Sequence, residues 1–315
     1  MGLTIGVDVG GTKVLAGVVD EKGAILAKSR RPTPSNSPTE TADAIAAAVA
    51  EFRLQYAVEA VGIGAAGWID ETRSRVRFAP NLAWRDEPLR DIVEARIGLP
   101  VVVENDANAA AWGEYRFGAG RGHSHLILIT VGTGIGCGII LDGRLYRGRY
   151  GVGGEPGHVR VVPDGRRCGC GNRGCWEQYC SGRALEREAR EIVAASPATG
   201  AALLERAAGD IQAITGPVVT AAALDGDPTA LECFDVVGAW LGQGVADLAA
   251  TLDPGCFVIG GGVSAAGELL VGPARRAYEA TLTGRGHRPF AELVVAELSE
   301  QAGLVGAADL ARYRD

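Results

Sequence analysis

Residues 158–175 contain three cysteines and one histidine with the spacing of a zinc site. Cys168, Cys170 and Cys175 lie within eight residues and are separated by glycines, and His158 precedes them by ten residues. Structural zinc ions take four such ligands in a closed tetrahedral shell that leaves no position for water. The alternatives are a disulfide pair or buried free thiols. A reducing compartment argues against the first and the glycine spacing against the second, so the pattern predicts structural zinc.

A second set of polar residues, Glu104, Asn105, Asp106 and Asn108, stands between a short apolar segment and a helix-forming segment. The apolar residues before the set predict a buried strand, and the alanine-rich run after it predicts a helix that ends near Gly118. Asp106 then falls at the carboxyl end of a strand, where open α/β sheets bind ligands. Taken alone, Asp106 is either the N-cap of the helix or a carboxylate that acts on a ligand.

Three glycine turns follow apolar strands and have the composition of phosphate sites. The first, Gly-Gly-Thr-Lys at residues 10–13, can offer backbone N–H groups, a hydroxyl and an ammonium group to a phosphate. Residues 126–142 repeat its plan of strand, Gly/Thr turn and strand at a spacing of 122 residues, which places Gly132 over Gly10. The third turn is the glycine triplet at 260–262. Together the turns predict a nucleotide held between two domains built on one template.

Residues 62–67 (Gly-Ile-Gly-Ala-Ala-Gly) match the dinucleotide-binding fingerprint in letters, so an NAD enzyme has to be considered. That fingerprint must open a helix, and residues 68–73 have no apolar helical period. We therefore reject a dinucleotide site. The sequence also contains no P-loop, no protein kinase motif pair and no nucleophile elbow for a catalytic triad.

The composition is that of a globular protein long enough for two domains. The chain has 315 residues, of which 47% are hydrophobic and 22% are charged. A net charge of −7 disfavours binding to nucleic acid. Because no apolar run reaches the length of a membrane span and no leader pattern opens the chain, we expect no membrane partner and a cytoplasmic location.

The residues that could do chemistry must be positioned by regular secondary structure. The hydrophobic pattern predicts alternating strands and helices. Ser37 and Glu40 form a capping box for the first helix, and Gly98 is expected to end the second. The predicted elements outside the stretches already described are strands at 3–9, 14–19, 24–27, 58–65 and 256–259 and helices from Ser37 to about 54 and from about 87 to 97.

These motifs make the chain resemble the ROK family of sugar kinases, in particular the actinobacterial ROK-type glucokinases. The resemblance implies an α/β fold of two actin-like (ribonuclease-H-like) domains with the active site in the interdomain cleft. It implies a small domain of residues 1–107 plus about 300–315 and a large domain of residues 108–299 that carries the zinc motif. The matching pieces are Asp8-Val-Gly-Gly-Thr-Lys13, Glu104-Asn-Asp-Ala-Asn108, Gly132-Thr-Gly-Ile-Gly136, Glu155-Pro-Gly-His158, Cys168-Gly-Cys-Gly-Asn-Arg-Gly-Cys175-Trp-Glu177 and Gly303-Leu-Val-Gly-Ala-Ala308.

The resemblance also implies roles for single residues. Asp106 is expected to be the catalytic base that takes the proton from the 6-hydroxyl of the sugar, and Asp8 is expected to meet Mg²⁺ through water. The expected sugar-binding residues are Asn81, Asn105, Glu155, His158 and Glu177, with His158 also a zinc ligand beside Cys168, Cys170 and Cys175. The expected ATP contacts are Gly10, Gly11, Thr12, Lys13, Gly132, Thr133, Gly134, Gly260, Gly261 and Gly262.

The implied reaction is the ATP-dependent phosphorylation of glucose at its 6-hydroxyl, with Mg²⁺ and structural Zn²⁺, in a homodimer or homotetramer. The alternatives are a kinase for N-acetylmannosamine, mannose or fructose, or one that uses polyphosphate as donor. Sugar-sensing transcription regulators share this domain but carry a winged helix-turn-helix ahead of it. Because the first phosphate strand begins by residue 5 and the net charge is acidic, we do not expect that function.

Two residues depart from the family pattern. Pro156 replaces a bulky apolar residue and could stiffen the segment between Glu155 and His158, and Cys137 replaces a glycine and either crowds the second phosphate turn or faces the core. The helix N-terminus is expected to keep Asp106 ionised near the ordinary aspartate pKa of about 4. We also expect that Asp106 can cap its helix while it acts as base. The cysteines outside the zinc motif, predicted to be core residues, are Cys137, Cys180, Cys233 and Cys256.

Overall fold

The computed structural model describes residues 2–313 of the chain. Strands and helices alternate through its first half, as the hydrophobic pattern predicts. In chain order these elements are β1 (Leu3–Val9), β2 (Lys13–Val19), β3 (Ile25–Pro32), α1 (Pro38–Arg53), β4 (Val58–Ala65), β5 (Trp68–Ile69), β6 (Val76–Phe78), β7 (Arg85–Glu87), α2 (Leu89–Ile97), β8 (Val101–Asn105), α3 (Asp106–Phe117), β9 (Leu126–Val131), β10 (Ile135–Leu141) and β11 (Arg144–Tyr146).

The second half is richer in helix. Among the described residues, no helix is both long and apolar enough to span a membrane. The elements are α4 (Glu177–Cys180), α5 (Gly182–Ala195), α6 (Ala201–Arg206), α7 (Gly216–Leu224), α8 (Pro228–Leu252), β12 (Cys256–Gly260), α9 (Glu268–Thr281), β13 (Glu292–Val295) and α10 (Ala302–Leu310), with short 3-10 turns at Pro156–His158, Ile211–Ala213, Gly262–Ala266 and Ser299–Gln301.

Two five-stranded sheets share one plan. The first has the order β3-β2-β1-β4-β8, in which β2 runs antiparallel to β1 and β3, and β4 runs parallel to β1 and β8. The second has the order β11-β10-β9-β12-β13, with β10 antiparallel to β11 and β12 parallel to β13. The two orders correspond strand for strand, which confirms the internal repeat and the α/β class. A small sheet, β5-β6-β7, completes the strands.

The described chain divides into two compact units, which we call unit 1 and unit 2. Unit 1 takes residues 2–128, 137–154 and 297–313, and unit 2 takes 129–136 and 155–296. These bounds differ from the predicted domains of 1–107 plus about 300–315 and of 108–299. Unit 1 retains α3 because that helix packs against α10 and against β10, where a Cβ at Gly138 would lie 2.4 Å from the Ala111 Cβ. The zinc motif lies in unit 2.

The helix boundaries follow the predicted capping chemistry. Ser37 is the N-cap of α1, and its hydroxyl oxygen accepts a hydrogen bond from the Glu40 N–H at 3.2 Å. Pro38 takes the first helical position, where its missing N–H costs nothing. Gly98 ends α2 in the left-handed conformation, with φ of 65°. These contacts confirm the predicted ends of both helices.

Helix α10 lies directly on the first sheet over a row of three glycines. Gly17, Gly6 and Gly62 are neighbours across β2, β1 and β4. A Cβ at Gly6 would come within 1.9 Å of the Leu304 carbonyl oxygen, and one at Gly62 within 1.8 Å of the Ala307 carbonyl oxygen. Gly62 therefore serves this packing. Because β4 continues to residue 65 and β5 begins at residue 68, no helix follows it, which confirms the rejection of a dinucleotide site.

The same helix packs tightly against α3. A Cβ at Gly306 would meet the Ala109 carbonyl oxygen at 1.7 Å, so the two helices touch backbone to backbone. Asp309 of α10 is 1% exposed, accepts a hydrogen bond from Trp112 Nε1 at 2.9 Å and pairs with the Arg116 guanidinium at 3.1 Å. The C-terminal helix thus joins β1, β4 and α3 within unit 1.

Alanine at Gly62 is expected to destabilise the fold. Its methyl group would lie 1.8 Å from a helix carbonyl oxygen, and no side-chain rotation can relieve that contact. Overpacking of this kind costs about 1–3 kcal/mol. We expect Gly62→Ala to lower the free energy of unfolding by at least about 1 kcal/mol, measured by urea denaturation followed by circular dichroism.

Gly272→Ala is the matched control. Gly272 lies in α9, and a Cβ there would have its nearest neighbour, Glu268 Oε2, at 3.5 Å. Alanine is about 1 kcal/mol more favourable than glycine inside a helix, so this variant should be as stable as the wild type or more stable. If Gly62→Ala proved as stable as Gly272→Ala, the close packing of α10 on the sheet would be refuted.

Candidate functional site

Asp106 is the first residue of α3 and follows directly on β8. The N-cap is Asn105, whose backbone is extended (φ −62°, ψ 144°) and whose Oδ1 accepts a hydrogen bond from the Asn108 N–H at 3.0 Å. The prediction that Asp106 caps the helix is therefore wrong, because Asp106 already belongs to the first turn. Its Oδ1 accepts instead from the Ala107 N–H at 2.9 Å and from Asn105 Nδ2 at 3.1 Å.

Asp8 stands near the end of β1, at the same sheet edge as Asp106. Asp8 pairs with Gly64 of β4, and Gly64 pairs with Glu104 of β8. Gly64 places no side chain between them, since a Cβ there would lie 3.7 Å from the Asp106 Cα. Burial and, secondly, the negative charge of Asp106 raise the pKa of Asp8 from 3.8 to about 7, although Lys13 lowers it. The edge therefore carries two interacting carboxyl groups.

Burial also raises the pKa of Asp106. Hydrogen bonds from the Ala107 N–H, from its own N–H and from the Asn105 amide act in the opposite direction but are outweighed. The prediction that the helix N-terminus keeps this carboxyl near its ordinary pKa is therefore wrong, because desolvation at the sheet edge is the larger effect. A raised pKa makes a carboxylate a better general base, so this group can take a proton from a hydroxyl.

The first glycine turn has the tight backbone that a phosphate site needs. The Gly10 N–H donates to the Lys13 carbonyl oxygen at 3.0 Å, and Thr12 is exposed at the tip. Asn81 lies beside this turn, because a Cβ at Gly11 would come within 3.0 Å of the Asn81 Cβ. The structure thus brings one predicted sugar-binding residue next to the predicted phosphate contacts of unit 1.

Lys13 forms an ion pair with Glu300, in which Nζ and Oε2 are 3.1 Å apart. The Glu300 side chain is 79% exposed, and exposed pairs of this kind contribute at most about 1 kcal/mol. Lys13 can therefore leave Glu300 for a phosphate at small cost. The sequence analysis missed this partner, since 287 residues separate the two.

A cavity of about 630 Å³ in unit 2 joins the other two predicted phosphate turns. Gly132 and Thr133 line it from the β9–β10 turn, and Gly262 lines it from the turn after β12. Gly260 ends β12, and Gly261 lies between that strand and the lining residue. The remaining lining residues are Gly182, Arg183, Leu185, Glu186, Gly216, Pro217, Thr220, Ala221, Leu224 and Val263.

The first residues of two helices, α5 and α7, face this cavity. The positive dipole end of a helix N-terminus favours a phosphate. Gly182 begins α5, and Gly216 begins α7 with its N–H donated to Glu186 Oε1 at 2.8 Å. Pro217 and Leu224 add apolar surface. The cavity therefore joins two glycine turns and two helix starts to apolar surface.

The sequence analysis missed the wall of the cavity formed by Arg183, Glu186 and residues 216–224. Helix-start signals were present, because Ser181 caps α5 and Pro217 follows directly on the first residue of α7. These signals locate helix starts along the chain. They do not indicate that two such starts face one cavity, which depends on the packing of unit 2.

The four predicted zinc ligands come together in unit 2. One nitrogen of His158 and the three cysteine Sγ atoms all lie within 4.8 Å of one another. Cys170 Sγ and Cys175 Sγ are 3.7 Å apart, and Cys168 Sγ and His158 Nδ1 are 3.6 Å apart. Tetrahedral zinc, with bonds of about 2.3 Å to sulfur and about 2.0 Å to nitrogen, sets these separations at about 3.8 and about 3.5 Å. Both the donor set and its spacing fit a closed structural zinc shell.

Glu177 lies between the metal ligands and the second phosphate turn. Cys168 Sγ donates a hydrogen bond to Glu177 Oε1 at 3.0 Å, and a Cβ at Gly134 would come within 2.6 Å of Glu177 Oε2. Glu155 is half-buried and precedes the 3-10 turn Pro156–His158, in which proline occupies the first position. Three of the predicted sugar-binding residues of unit 2 thus belong to the segments that the metal ligands brace.

The thiols of the cluster have different proton affinities. Burial raises the pKa of the Cys168 and Cys175 thiols. Burial acts the same way on Cys170, but hydrogen bonds from Asn172 and from the neighbouring thiols lower its pKa overall. A bound cation favours the thiolate form of all three.

All seven cysteines lie within the described residues, and none of them forms a disulfide. The predicted core cysteines, Cys137, Cys180, Cys233 and Cys256, are buried, which confirms that interpretation. For Cys137 this settles the alternative, because the residue is 3% exposed inside β10 and belongs to the core.

The raised pKa of Asp8 predicts a pH-dependent stability. Because its folded-state pKa of about 7 lies above the ordinary value of 3.8, the folded chain binds this proton more tightly than the unfolded chain. The resulting stabilisation is complete below about pH 4 and is lost as the pH rises toward 7. One pKa unit corresponds to about 1.4 kcal/mol. Without Mg²⁺ or nucleotide and with the zinc retained, Asp8→Asn should have a higher free energy of unfolding than the wild type, by at least that amount at pH 8 and by less at pH 5. If the wild type and Asp8→Asn had equal free energies of unfolding at pH 8, the burial of the Asp8 charge would be contradicted.

Loss of one thiolate should release the metal. We expect Cys170→Ser to lower the zinc content, measured by inductively coupled plasma mass spectrometry, and to lower the melting temperature together with it, because a structural ion contributes its binding free energy to folding. Cys233→Ser, the same change at a buried cysteine of α8, is the control and should keep its zinc. Full zinc occupancy in Cys170→Ser would show that this cluster does not hold the ion.

Comparison with known proteins places the chain in a family. The model of the ROK family matches residues 4–314. The glucokinase of Streptomyces coelicolor is 54% identical over 315 residues, which cover 100% of this chain and 99% of the relative. The glucokinase of Thermotoga maritima is 40% identical over 312 residues, which cover 98% of this chain and 97% of the relative.

A solved structure matches along the same length. The crystal structure of a ROK family glucokinase from Streptomyces griseus in complex with glucose and AMPPNP has a TM-score of 0.91 to this chain at 56% identity. The match covers 99% of this chain and 100% of that chain, and it confirms the α/β, actin-like (ribonuclease-H-like) fold. Because family, sequence and structure agree over nearly every residue, the chain belongs to the ROK family.

Proposed function

We propose that this chain transfers the γ-phosphoryl group of ATP to the 6-hydroxyl of glucose. The observation that carries the proposal is the Asp106 carboxyl at the start of α3, which lies at one sheet edge with Asp8 and has a raised pKa. Full-length relatives named glucokinase, one of them solved with glucose and AMPPNP, support glucose and ATP as the substrates.

Asp106 acts as the base of this reaction. Its Oδ1 is held by Ala107 and Asn105, so we assign Oδ2 to the proton of the sugar hydroxyl. As the 6-oxygen attacks the γ-phosphorus, a new O–P bond forms and the bond from that phosphorus to the bridging oxygen breaks, which releases ADP. The hydroxyl proton passes to Asp106. Proton transfer to a positioned base contributes about 10²- to 10⁴-fold to such a step.

The sugar-binding set follows from the hydrogen-bonding capacity that remains. Asn105 donates from Nδ2 to the Gly67 carbonyl oxygen and to Asp106, and its Oδ1 accepts from Asn108, which leaves one lone pair for a hydroxyl. His158 turns Nδ1 toward the cysteines, so Nε2 carries the proton and donates to a sugar oxygen. Asn81, Glu155 and Glu177 complete the set.

The ATP contacts are assigned in each unit separately. In unit 2, the cavity of about 630 Å³ takes the adenosine against the apolar side chains of α7 and Val263. The N–H groups of Thr133, Gly134 and Gly262 bind phosphates, as do those of Gly11 and Thr12 in unit 1. Fixed N–H dipoles of this kind stabilise charge that develops on the transferring group.

Two metal ions assist these residues. Asp8 would hold Mg²⁺ through water, and this ion supplies charge cancellation on the β- and γ-phosphates. His158, Cys168, Cys170 and Cys175 would hold Zn²⁺, which braces the segments that carry Glu155 and Glu177.

We also propose that the chain works in the cytoplasm, without nucleic-acid partners, as a homodimer or homotetramer. Free thiols grouped in a metal-binding arrangement are typical of a reducing compartment. A net charge of −7 disfavours phosphate-rich polymers. The oligomeric state rests on the resemblance to the family alone.

A donor-and-sugar panel tests the function, and an Asp106 variant in the same assay tests the base. The wild type should release ADP with glucose, Mg²⁺ and ATP at a higher kcat/KM than with N-acetylmannosamine, mannose or fructose, or with polyphosphate as donor. Asp106→Asn keeps the size of the side chain but cannot take the proton, so kcat should fall about 10²- to 10⁴-fold while the Kd for glucose, measured by calorimetry, stays unchanged.

Asp142→Asn makes the same chemical change away from the sheet edge, in the exposed turn between β10 and β11. Asparagine tolerates the φ of 50° found there, so kcat should match the wild type. No turnover with any hexose would exclude the kinase function, and a nearly fully active Asp106→Asn enzyme would exclude Asp106 as base.

A further inference from the structure

Glu104 is a buried carboxylate that the proposed reaction does not use. Its side chain is 1% exposed, and it directly precedes Asn105 and Asp106 in the sequence. A carboxylate removed from water is costly unless it is both paired and hydrogen-bonded. The partners of Glu104 therefore indicate what this carboxylate does.

The two carboxylate oxygens of Glu104 face in different directions. Oε1 accepts hydrogen bonds from the Asn105 N–H at 2.9 Å and from Asn108 Nδ2 at 3.1 Å. Oε2 lies 3.1 Å from Arg73 Nε and 2.8 Å from Arg147 Nε. One oxygen thus holds the start of α3, and the other is held by two guanidinium groups.

Both arginines are fixed by contacts of their own within unit 1. Arg147 is 11% exposed and donates from Nη2 to the Asp70 carbonyl oxygen at 2.8 Å and from Nη1 to the Glu71 carbonyl oxygen at 3.1 Å. The carbonyl oxygen of Arg73 accepts from the Val103 N–H of β8 at 3.0 Å. Contacts outside α3 therefore fix the Arg147 guanidinium group and the backbone of Arg73.

We propose that Glu104 is a positioning residue that sets Asn105 and Asp106 for phosphoryl transfer; this role rests on the proposed function. Its Oε1 fixes the backbone of Asn105 and the side chain of Asn108. Asn105 in turn accepts from the Asn108 N–H at 3.0 Å and donates to Asp106 Oδ1 at 3.1 Å. Two ion pairs to the arginines, followed by these hydrogen bonds, thus connect Arg73 and Arg147 to the proposed base. A displacement of about 1 Å at a reacting group can cost about 10²-fold in rate.

Glu114 is the control position that distinguishes this positioning role from the general effect of removing a buried negative charge. Glu114 is also in α3 and 0% exposed, and it accepts from the backbone N–H groups of Ala119, Glu297 and Leu298. It lies eight residues after Asp106 in the helix, which corresponds to about 12 Å. Glu114→Gln should therefore lower stability without changing the position of Asp106.

The test compares Glu104→Gln with Glu114→Gln in the full-length, zinc-loaded chain. Glutamine keeps the size of Glu104 and an acceptor for the Asn105 N–H but removes the charge between the two guanidinium groups. We expect kcat, normalised to the folded fraction from circular dichroism, to fall about 10- to 100-fold in Glu104→Gln, with the KM for ATP within about twofold of the wild type. Glu114→Gln should keep the wild-type kcat even if its melting temperature falls further.

Arg147→Lys covers the case in which Glu104→Gln fails to fold. Lysine keeps the positive charge but cannot contact Glu104 and both carbonyl oxygens together, so kcat should fall several-fold with an unchanged KM for ATP. A wild-type kcat in folded Glu104→Gln overturns the positioning role, and so does a wild-type kcat in Arg147→Lys if Glu104→Gln does not fold. In either case an active wild type leaves the kinase function intact. A wild type that phosphorylates no hexose overturns the function and this role together.

Discussion

The close contact between helix α10 and the first sheet is the constraint on which the rest of unit 1 depends. The helix backbone lies within 2 Å of where side chains at Gly6 and Gly62 would begin, so two neighbouring strands must both carry glycine at that level. The same helix touches α3 backbone to backbone at Gly306. Because β1 carries Asp8 and α3 begins with Asp106, the helix that joins them also sets the spacing of the two carboxyl groups. The small residues that allow this close packing therefore also set the positions of the two carboxyl groups.

Burial of the carboxyl groups at this sheet edge raises their affinity for protons and also costs folding free energy. Two carboxyl groups interact at this edge, and burial raises the pKa of both. A third carboxylate, Glu104, lies beside them but is matched by the guanidinium groups of Arg73 and Arg147. A carboxyl group thus holds its proton more tightly where burial outweighs nearby positive charge, and it stays paired where two guanidinium groups match its charge. In the proposed reaction, the surrounding charges, rather than the carboxyl group itself, distinguish the base from the positioning residue.

Unit 2 achieves rigidity by another means. The segments of unit 2 proposed to bind ligands lie outside regular elements, where glycines and short turns offer little packing. The four metal ligands hold this region together, and Glu177 connects them to the Gly134 turn. On the other side of that turn, helices α5 and α7 present their N-termini to one cavity. Metal coordination and helix capping thus fix the positions of side chains in unit 2, as close helix packing does in unit 1.

The sequence by itself determined the features whose partners are near in the chain or repeat along it. The zinc ligands fall within 18 residues, the strand and turn plan recurs after 122 residues, and Ser37, Glu40 and Gly98 mark helix ends through local hydrogen bonds and backbone geometry. Only the tertiary structure decided the rest. The pKa values of Asp8 and Asp106 depend on burial, the glycine row faces a helix about 240 residues or more further along, and Arg147 reaches Glu104 from a separate hairpin. Local patterns report hydrogen bonds that the chain makes with itself over a few residues, whereas desolvation and close approach exist only once distant segments have packed.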